Sequence, residues 1–375
     1  MGETTYGLGA QVQGGEFPAP DLPYRPPSPA RRDMPIGLIG CGGISQVHLR
    51  AYAAAGLNVV ALASRSLERA EARRAEFFPQ AAVHGDFRAL LEQREIEVVD
   101  ITTSPEVRGP FVETALQAGK HVLSQKPFAV DLSEGERLVE LAEEKGLQLA
   151  VNQNGRWAPH FAYMLAAVRA GLIGEVSCVD LAVHWDHHWV LGSAFEEVQH
   201  LVLEDFGIHW FDIAAAAFGE REPRSVYAAE ARSSSQRARP PFLAHAVAEW
   251  ESGQATLQFN ADCTYGQEDR TTIMGSKGTL RSVGPSLTEQ TVTLHTAEGW
   301  ARPSLQGSWM LEGFQGTMLE LLCAIEEKRA PANSARENLR SLRLCQAAVR
   351  SAETGARVAL ERPTTQSDDT RGSIR

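Results

Sequence analysis

Asp205 and His209 stand four positions apart in a run that also holds Leu201, Val202, Leu203, Ile208, Phe211 and Ile213. On a helix this spacing places the carboxylate and the imidazole on one face, and the apolar neighbours argue against a simply solvated one. Imidazole, with an ordinary pKa near ~6.5, suits a base that takes a hydroxyl proton while hydride leaves the carbon. Lys126 is the candidate to hydrogen-bond the same oxygen and stabilise developing alkoxide charge. Asp205 would hold a neighbouring hydroxyl or orient the imidazole. Asp212 reads as structural.

Hydride chemistry needs a carrier, and Gly40-Cys41-Gly42-Gly43-Ile44-Ser45 offers a cradle for one. Gly40 permits a tight turn, Gly42 and Gly43 let backbone approach a pyrophosphate, and Ser45 is small enough for close helix–sheet packing. The free amides at the start of the following helix, from Ile44 onward, suit phosphate. The ribose should be read about 20 positions further on, at the end of the second strand. Ser64, Arg65 and Arg69 stand there in place of a carboxylate, and a hydroxyl with guanidinium groups suits a 2′-phosphate. The expected cofactor is NADP in preference to NAD.

The elements that must position these groups follow from the pattern. Residues 1–33 are rich in Gly and Pro and form an extended arm, either a loose leader or a strap in which Phe17, Leu22 and Tyr24 lie along a subunit. From 34 to 153 short apolar runs alternate with helical stretches. The runs are Pro35–Ile39, Asn58–Ala63, Val98–Ile101, His121–Leu123 and Leu147–Val151. The last helix between them is expected to open with a capping box, Ser133 with Glu136, and to stop at Gly146. This alternation predicts an α/β chain with an N-terminal Rossmann, doubly wound parallel sheet.

From 154 to 362 the alternation stops. Helical stretches near Phe161–Ala170 and Leu203–Ala217 surround a strand near Val176–Val183. Strand-like runs follow at Ser225–Ala231, Ala246–Trp250, Ala255–Asn260, Thr271–Met274 and Thr291–His295, with a hairpin turn at Ser252-Gly253. Two terminal helices come next, the second capped by Ser334 with Glu337 and stopped by Gly355. The reading is an α+β substrate and oligomerisation domain with a large, mostly antiparallel open sheet. Residues 363–375 form a polar tail.

Composition bounds the function. The chain has 375 residues, 43% apolar and 22% charged, as expected for two globular domains. A net charge of −11 argues against tracking nucleic-acid phosphates. Cys41, Cys178, Cys263, Cys323 and Cys345 are dispersed, which fits a reducing, cytoplasmic compartment. No apolar run is long enough to cross a bilayer, and no signal peptide is evident, so no membrane role is expected.

Three motifs together resemble the glucose-fructose oxidoreductase, inositol dehydrogenase and rhizopine catabolism (Gfo/Idh/MocA) family. They are the glycine loop with His48, the run Ala118-Gly119-Lys120-His121-Val122-Leu123-Ser124-Gln125-Lys126-Pro127, and Asp205-Phe206-Gly207-Ile208-His209-Trp210-Phe211-Asp212. The resemblance spans about Pro35 to Leu360. It implies an NAD(P)-dependent oxidoreductase that moves hydride between nicotinamide and a hydroxyl or keto carbon of a sugar or cyclitol. It also implies a homodimer or homotetramer joined through the C-terminal sheet. Lys126 would lie beside the nicotinamide, with Gln125 and the loop Thr102-Thr103-Ser104-Pro105 at the cofactor.

Two positions depart from the family pattern: Gln125 replaces a glutamate and Arg108 a histidine. Arg156, in Asn154-Gly155-Arg156-Trp157-Ala158-Pro159, would reach the substrate or brace the domain junction. In His184-Trp185-Asp186-His187-His188-Trp189, indole faces would pack on sugar C–H groups while His187 and His188 read hydroxyls. The tandem spacing does not present metal ligands on one helix face, so no metal is expected. Two other functions share these motifs: a glycoside-cleaving enzyme that retains its cofactor and oxidises a ring hydroxyl transiently, and a non-catalytic ligand-binding regulator.

Overall fold

Short runs rich in Val, Ile and Leu become strands buried on both faces, and the Ala/Glu/Arg-rich stretches between them become covering helices. The computed structural model describes residues 14–360. Its first unit runs β1 (Ile36–Ile39), α1 (Ser45–Ala55), β2 (Val59–Ala63), α2 (Leu67–Phe77), β3 (Ala82–His84), α3 (Phe87–Leu91), β4 (Val98–Ile101), α4 (Pro105–Gln117), β5 (His121–Ser124), α5 (Leu132–Glu144) and β6 (Leu149–Val151). The six strands are parallel in the order β3-β2-β1-β4-β5-β6, the doubly wound arrangement whose ligand crevice opens where the order reverses, beyond β1 and β4.

Two details differ from the sequence expectation. Strand β3 and helix α3 were not foreseen; three and five residues are too few to show a period. The cap of α5 is Asp131, whose carboxylate accepts from the Glu134 amide at 2.8 Å, while Ser133 lies inside the first turn and donates to Asp131. A carboxylate both accepts the free amide and meets the positive end of the helix, so it displaces the hydroxyl.

The second unit continues with α6 (Pro159–Arg169), β7 (Val176–His184), α7 (Ile208–Phe218), β8 (Ser225–Ala231), β9 (Leu243–Trp250), β10 (Gly253–Asn260), β11 (Glu268–Gly275), β12 (Gly278–Gly284), β13 (Thr291–Thr296), β14 (Gly299–Ala301), α8 (Glu312–Glu327), α9 (Ala335–Thr354) and β15 (Val358–Ala359). Nine strands form one sheet, β14-β13-β12-β11-β7-β10-β9-β8-β15, antiparallel except for the β7–β10 pair. Strands β12, β14 and β15 were not foreseen. The register sets Val179, Leu181 and Val183 beside Ala255, Leu257 and Phe259, so one face is apolar and packs on α6, α7 and α9.

The last two helices tie the halves together. Phe314, Met318 and Leu322, spaced along one face of α8, join the β1–α1 core, and Leu339 and Leu342 of α9 join the α4–α5 core. Truncating one such buried side chain to alanine costs about 2–5 kcal/mol. The described part of the arm lies along its own chain. The Phe17 amide donates to Trp300 O at 2.9 Å, Tyr163 Oη donates to Pro20 O at 3.0 Å, and Phe17, Leu22 and Tyr24 pack on the second core. Residues 1–13 and 361–375, with the polar tail, lie outside the described residues. No helix of the described residues is long and apolar enough to cross a membrane.

Candidate active site

The glycine loop leaves β1 at the crevice. Gly40 has φ +104°, and a Cβ there would meet the Thr103 amide nitrogen at 3.0 Å, so only glycine makes this turn. A Cβ on Gly42 or Gly43 would meet nothing within 4 Å, which leaves open space in front of the loop. Helix α1 starts without a side-chain cap, and the Ser45 hydroxyl is spent on Gly42 O at 2.6 Å. The Gln46 and Val47 amides donate to the Gly43 and Ile44 carbonyls, which leaves the amides of the loop itself, Gly42 to Ser45, for a pyrophosphate in the open space before the helix, so the residues fit a dinucleotide.

At the end of β2, Ser64 Oγ accepts from the Ser66 amide at 3.2 Å, and Ser66 caps α2. Arg65 and Arg69 are exposed, and among the described residues no acceptor or carboxylate meets either guanidinium. Thr102 turns its hydroxyl back to the Gly40 and Ile39 carbonyls, bracing the glycine loop. Arg108, only 2% exposed, donates to the Thr103 and Pro127 carbonyls. It thus clamps the two loops that flank the crevice, a structural account of its presence. Burial pushes its pKa down to about 10, so it remains cationic at neutral pH.

Beneath Lys126 lies a buried polar chain. His48 Nδ1 is 2.8 Å from Asp100 Oδ2, which also accepts from Tyr52 Oη at 2.7 Å. Asn152 Nδ2 lies 3.2 Å from His48 Nε2 and donates to Gln125 Oε1 at 2.6 Å. Thr317 Oγ1 donates to Asn152 Oδ1 at 2.7 Å. The Gln125 amide oxygen is therefore anchored inward, and the next residue, Lys126, emerges at the C-terminal end of β5 before a cis peptide bond to Pro127.

Lys126 finds its carboxylate in the other half. Its Nζ lies 2.9 Å from Asp205 Oδ1 and donates to Asp205 O at 2.7 Å. Asp205 sits not on a regular helix but in a π-helical turn, Val202–Phe206, which runs into α7. The Gly207 amide bonds to Val202 O at 2.7 Å, and a Cβ on Gly207 would come within 2.8 Å of that same oxygen, so glycine closes the wide turn. Asp205 is accordingly aimed at Lys126 and makes no hydrogen bond to His209, contrary to the orienting role considered from spacing. His209 stands in the first turn of α7, which apart from His209 and Asp212 is apolar and is wedged between the nine-stranded sheet and α9. Burial first and the Lys126 charge second hold its pKa well below the ordinary value, so the ring is neutral at pH 7. Its Nδ1 is buried without a partner.

Lys126, Asp205 and His209 line one cavity of about 520 Å³. Trp185, His187, Trp189, Phe206, Trp210 and Trp309 form its aromatic wall, and Asp186, Gln267, Ser286, Leu287, Thr288 and Met310 complete it. Burial pushes His187 down to about 4, so it too is neutral. Two expected substrate residues are elsewhere. Arg156 makes a bidentate pair with Asp212 at 2.6 and 2.7 Å, with Ala332 O as a further acceptor, and does not line the cavity. Its neighbour Asp212 is 1% exposed, so the charge of Arg156 is consumed in bracing the junction. His188 turns away to Asp186 (2.7 Å) and Asp262 (3.4 Å), where it opens the 3-10 turn His188–Val190.

Trp309, Met310, Gln267, Ser286 and Thr288 went unread in the sequence; they sit on loops, and a Trp-Met pair after Gly307-Ser308 was the only signal. Among the described residues, no three His, Cys, Asp or Glu side chains are grouped to hold a metal ion.

A doubly wound dinucleotide cradle facing a lysine, a carboxylate and a neutral imidazole across a domain junction defines a nicotinamide-dependent oxidoreductase. The family model described as "Oxidoreductase family, NAD-binding Rossmann fold" matches residues 34–153, and "Oxidoreductase family, C-terminal alpha/beta domain" matches 166–360. The chain belongs to the Gfo/Idh/MocA oxidoreductase family. It is 29% identical over 344 residues to D-apiose dehydrogenase of Paraburkholderia graminis, covering 86% of this chain and 89% of that one. It is 27% identical over 329 residues to inositol 2-dehydrogenase of Rhizobium meliloti, covering 84% and 96%. A crystal structure of a putative myo-inositol dehydrogenase from Sinorhizobium meliloti superposes with a TM-score of 0.74 at 26% identity, covering 88% of this chain and all of that one.

Proposed function

We propose that this protein transfers hydride between NADP and a hydroxyl or keto carbon of a sugar or cyclitol, with His209 as the general base. The observation that carries the reading is the convergence of Lys126, Asp205 and His209 in one cavity at the C-terminal end of β5, the edge of the sheet on which the glycine loop after β1 also opens. Bound nicotinamide supplies the hydride acceptor or donor. Gly40, Gly42, Gly43 and Ile44 would hold the pyrophosphate, and Thr102, Thr103 and Gln125 would border the nicotinamide. His209, neutral at pH 7, takes the hydroxyl proton as the carbonyl forms and returns it in the reverse direction. Lys126, fixed by Asp205, donates to the same oxygen and stabilises its negative charge. Trp185 and His187 offer ring faces to sugar C–H groups.

NADP is favoured because the guanidiniums of Arg65 and Arg69 stand exposed and unpaired beside Ser64. Assembly is proposed through the outer face of the nine-stranded sheet, where Tyr227 is exposed and a concavity with a volume of about 540 Å³ lies over β8, β9 and β10. A cytoplasmic setting fits five dispersed, unpaired thiols. The test is a screen of sugars, cyclitols and glycosides with protein and NADP, followed by absorbance of the reduced nicotinamide. Turnover of at least one polyol is expected; binding of polyols without turnover in either direction would overturn the catalytic reading.

A further inference from the structure

We infer that the cavity continues outward into a second subsite, built on Trp189, that takes an uncharged ring carried on the glycosidic oxygen of the substrate. This rests on the sugar reading above and names the substrate class within it. The aromatic wall does not end where one ring would fill it. From His209 the ring centroids step to Trp309 (5.7 Å), Trp210 (5.8 Å), Trp185 (5.5 Å) and His187 (5.5 Å), and then to Trp189 (6.3 Å). His209 also meets Trp210 directly at 6.3 Å, so the shortest ring path runs His209, Trp210, Trp185, His187 and Trp189, with Trp189 at its outer end.

Its outer end is open to water. Trp189 is 60% exposed and Met310 53%, yet both line the same cavity as His209. Phe195 meets Trp189 edge-on at 5.4 Å, and none of the ring contacts of Trp189 is a parallel stack, so the indole is held while remaining free to stack on a ligand. Charge sets the kind of ring. Among the described residues, the only cation lining the cavity is Lys126, already matched by Asp205, and the remaining charged group is Asp186. Hydrogen bonds from the His188 amide and ring hold the Asp186 carboxyl below its usual range, so it is anionic at pH 7. A phosphate or carboxylate placed there would meet an unmatched negative charge; a phenyl or pyranose ring meets indole, thioether and the hydroxyls of Ser286 and Thr288.

The test is calorimetric binding to the full chain loaded with NADPH. The probes are methyl, phenyl and glucosyl β-glycosides of glucose, galactose and xylose, with free myo-inositol alongside. Ring-bearing glycosides of at least one sugar should bind about two- to tenfold more tightly than the methyl glycoside of the same sugar, the usual worth of an aromatic stack. Trp189→Ala should remove that gain, so that ring-bearing and methyl glycosides of the same sugar bind alike, and Trp189→Phe should keep most of it. A gain confined to the phenyl probe identifies an aromatic aglycone, and one confined to the glucosyl probe a second sugar; either supports the subsite. Equal affinity of ring-bearing and methyl glycosides, or a gain that survives Trp189→Ala, overturns it. Binding of myo-inositol without any glycoside overturns the outer subsite and leaves the oxidoreductase reading standing. Binding of no sugar or cyclitol overturns both.

Discussion

Replacing Arg156 by methionine separates a bracing residue from a substrate ligand. The guanidinium is 12% exposed and the Asp212 carboxylate 1%, so the variant leaves a buried carboxylate held only by Ser341 Oγ at 2.7 Å and a long contact to Asn338. Removing one member of a buried pair costs about 3–5 kcal/mol, because the remaining charge is neither hydrated nor matched. Unfolding entropy of about 2.1 cal/mol/K per residue over 375 residues comes to about 0.8 kcal/mol/K. The melting temperature, followed by circular dichroism, should therefore fall by about 4–6 °C. The double variant Arg156→Met with Asp212→Leu should recover most of the loss, since an apolar pair of similar volume is often as stable as a buried ion pair. Cofactor affinity and KM of the folded variant should stay close to those of the parent. A melting temperature within ~1 °C of the parent, together with a tenfold rise in KM, would show that Arg156 reaches the substrate and that the bracing argument is wrong.

His209→Ala should lower kcat by about 10²–10⁴-fold with NADPH affinity retained, because the residue lies in the second unit; near-normal turnover would remove it as the base. Lys126→Ala should do comparable damage, and Asp205→Asn should also raise KM because Lys126 loses its anchor. Titration against both nucleotides should show tighter NADPH than NADH, and Arg65→Ala should weaken NADPH at least tenfold more than NADH. Tighter NADH in the parent would refute the 2′-phosphate site. Since burial and the Lys126 charge both depress the His209 pKa, its imidazole should stay neutral as pH falls through the ordinary histidine value of ~6.5. The acid limb of kcat/KM should then lie below that value. In an NMR titration, Lys126→Met should move the His209 midpoint upward, and an unchanged midpoint would exclude the charge as a cause.

The doubly wound sheet, the glycine turn and the four-residue spacing of Asp205 and His209 were legible in sequence because each is a local pattern. Glycines between a strand and a helix can do little else, and a charged residue in an apolar helix has to be explained. Even the cap of α9 by Ser334, which accepts from the Glu337 amide, was written in four residues. Tertiary structure decided the partnerships. Helical spacing placed Asp205 with His209, but a π-helical turn closed at Gly207 gave it to Lys126 from 79 positions away. Arg156 and Asp212, read as a substrate ligand or brace and a structural acid, neutralise one another across 56 positions. The loops bearing Gln267, Ser286 and Trp309 reach the cavity only because strands β7 to β13 hold them there. Local preferences are short-ranged and survive in any context; charges choose partners according to where the fold excludes water, and no period in the chain records that.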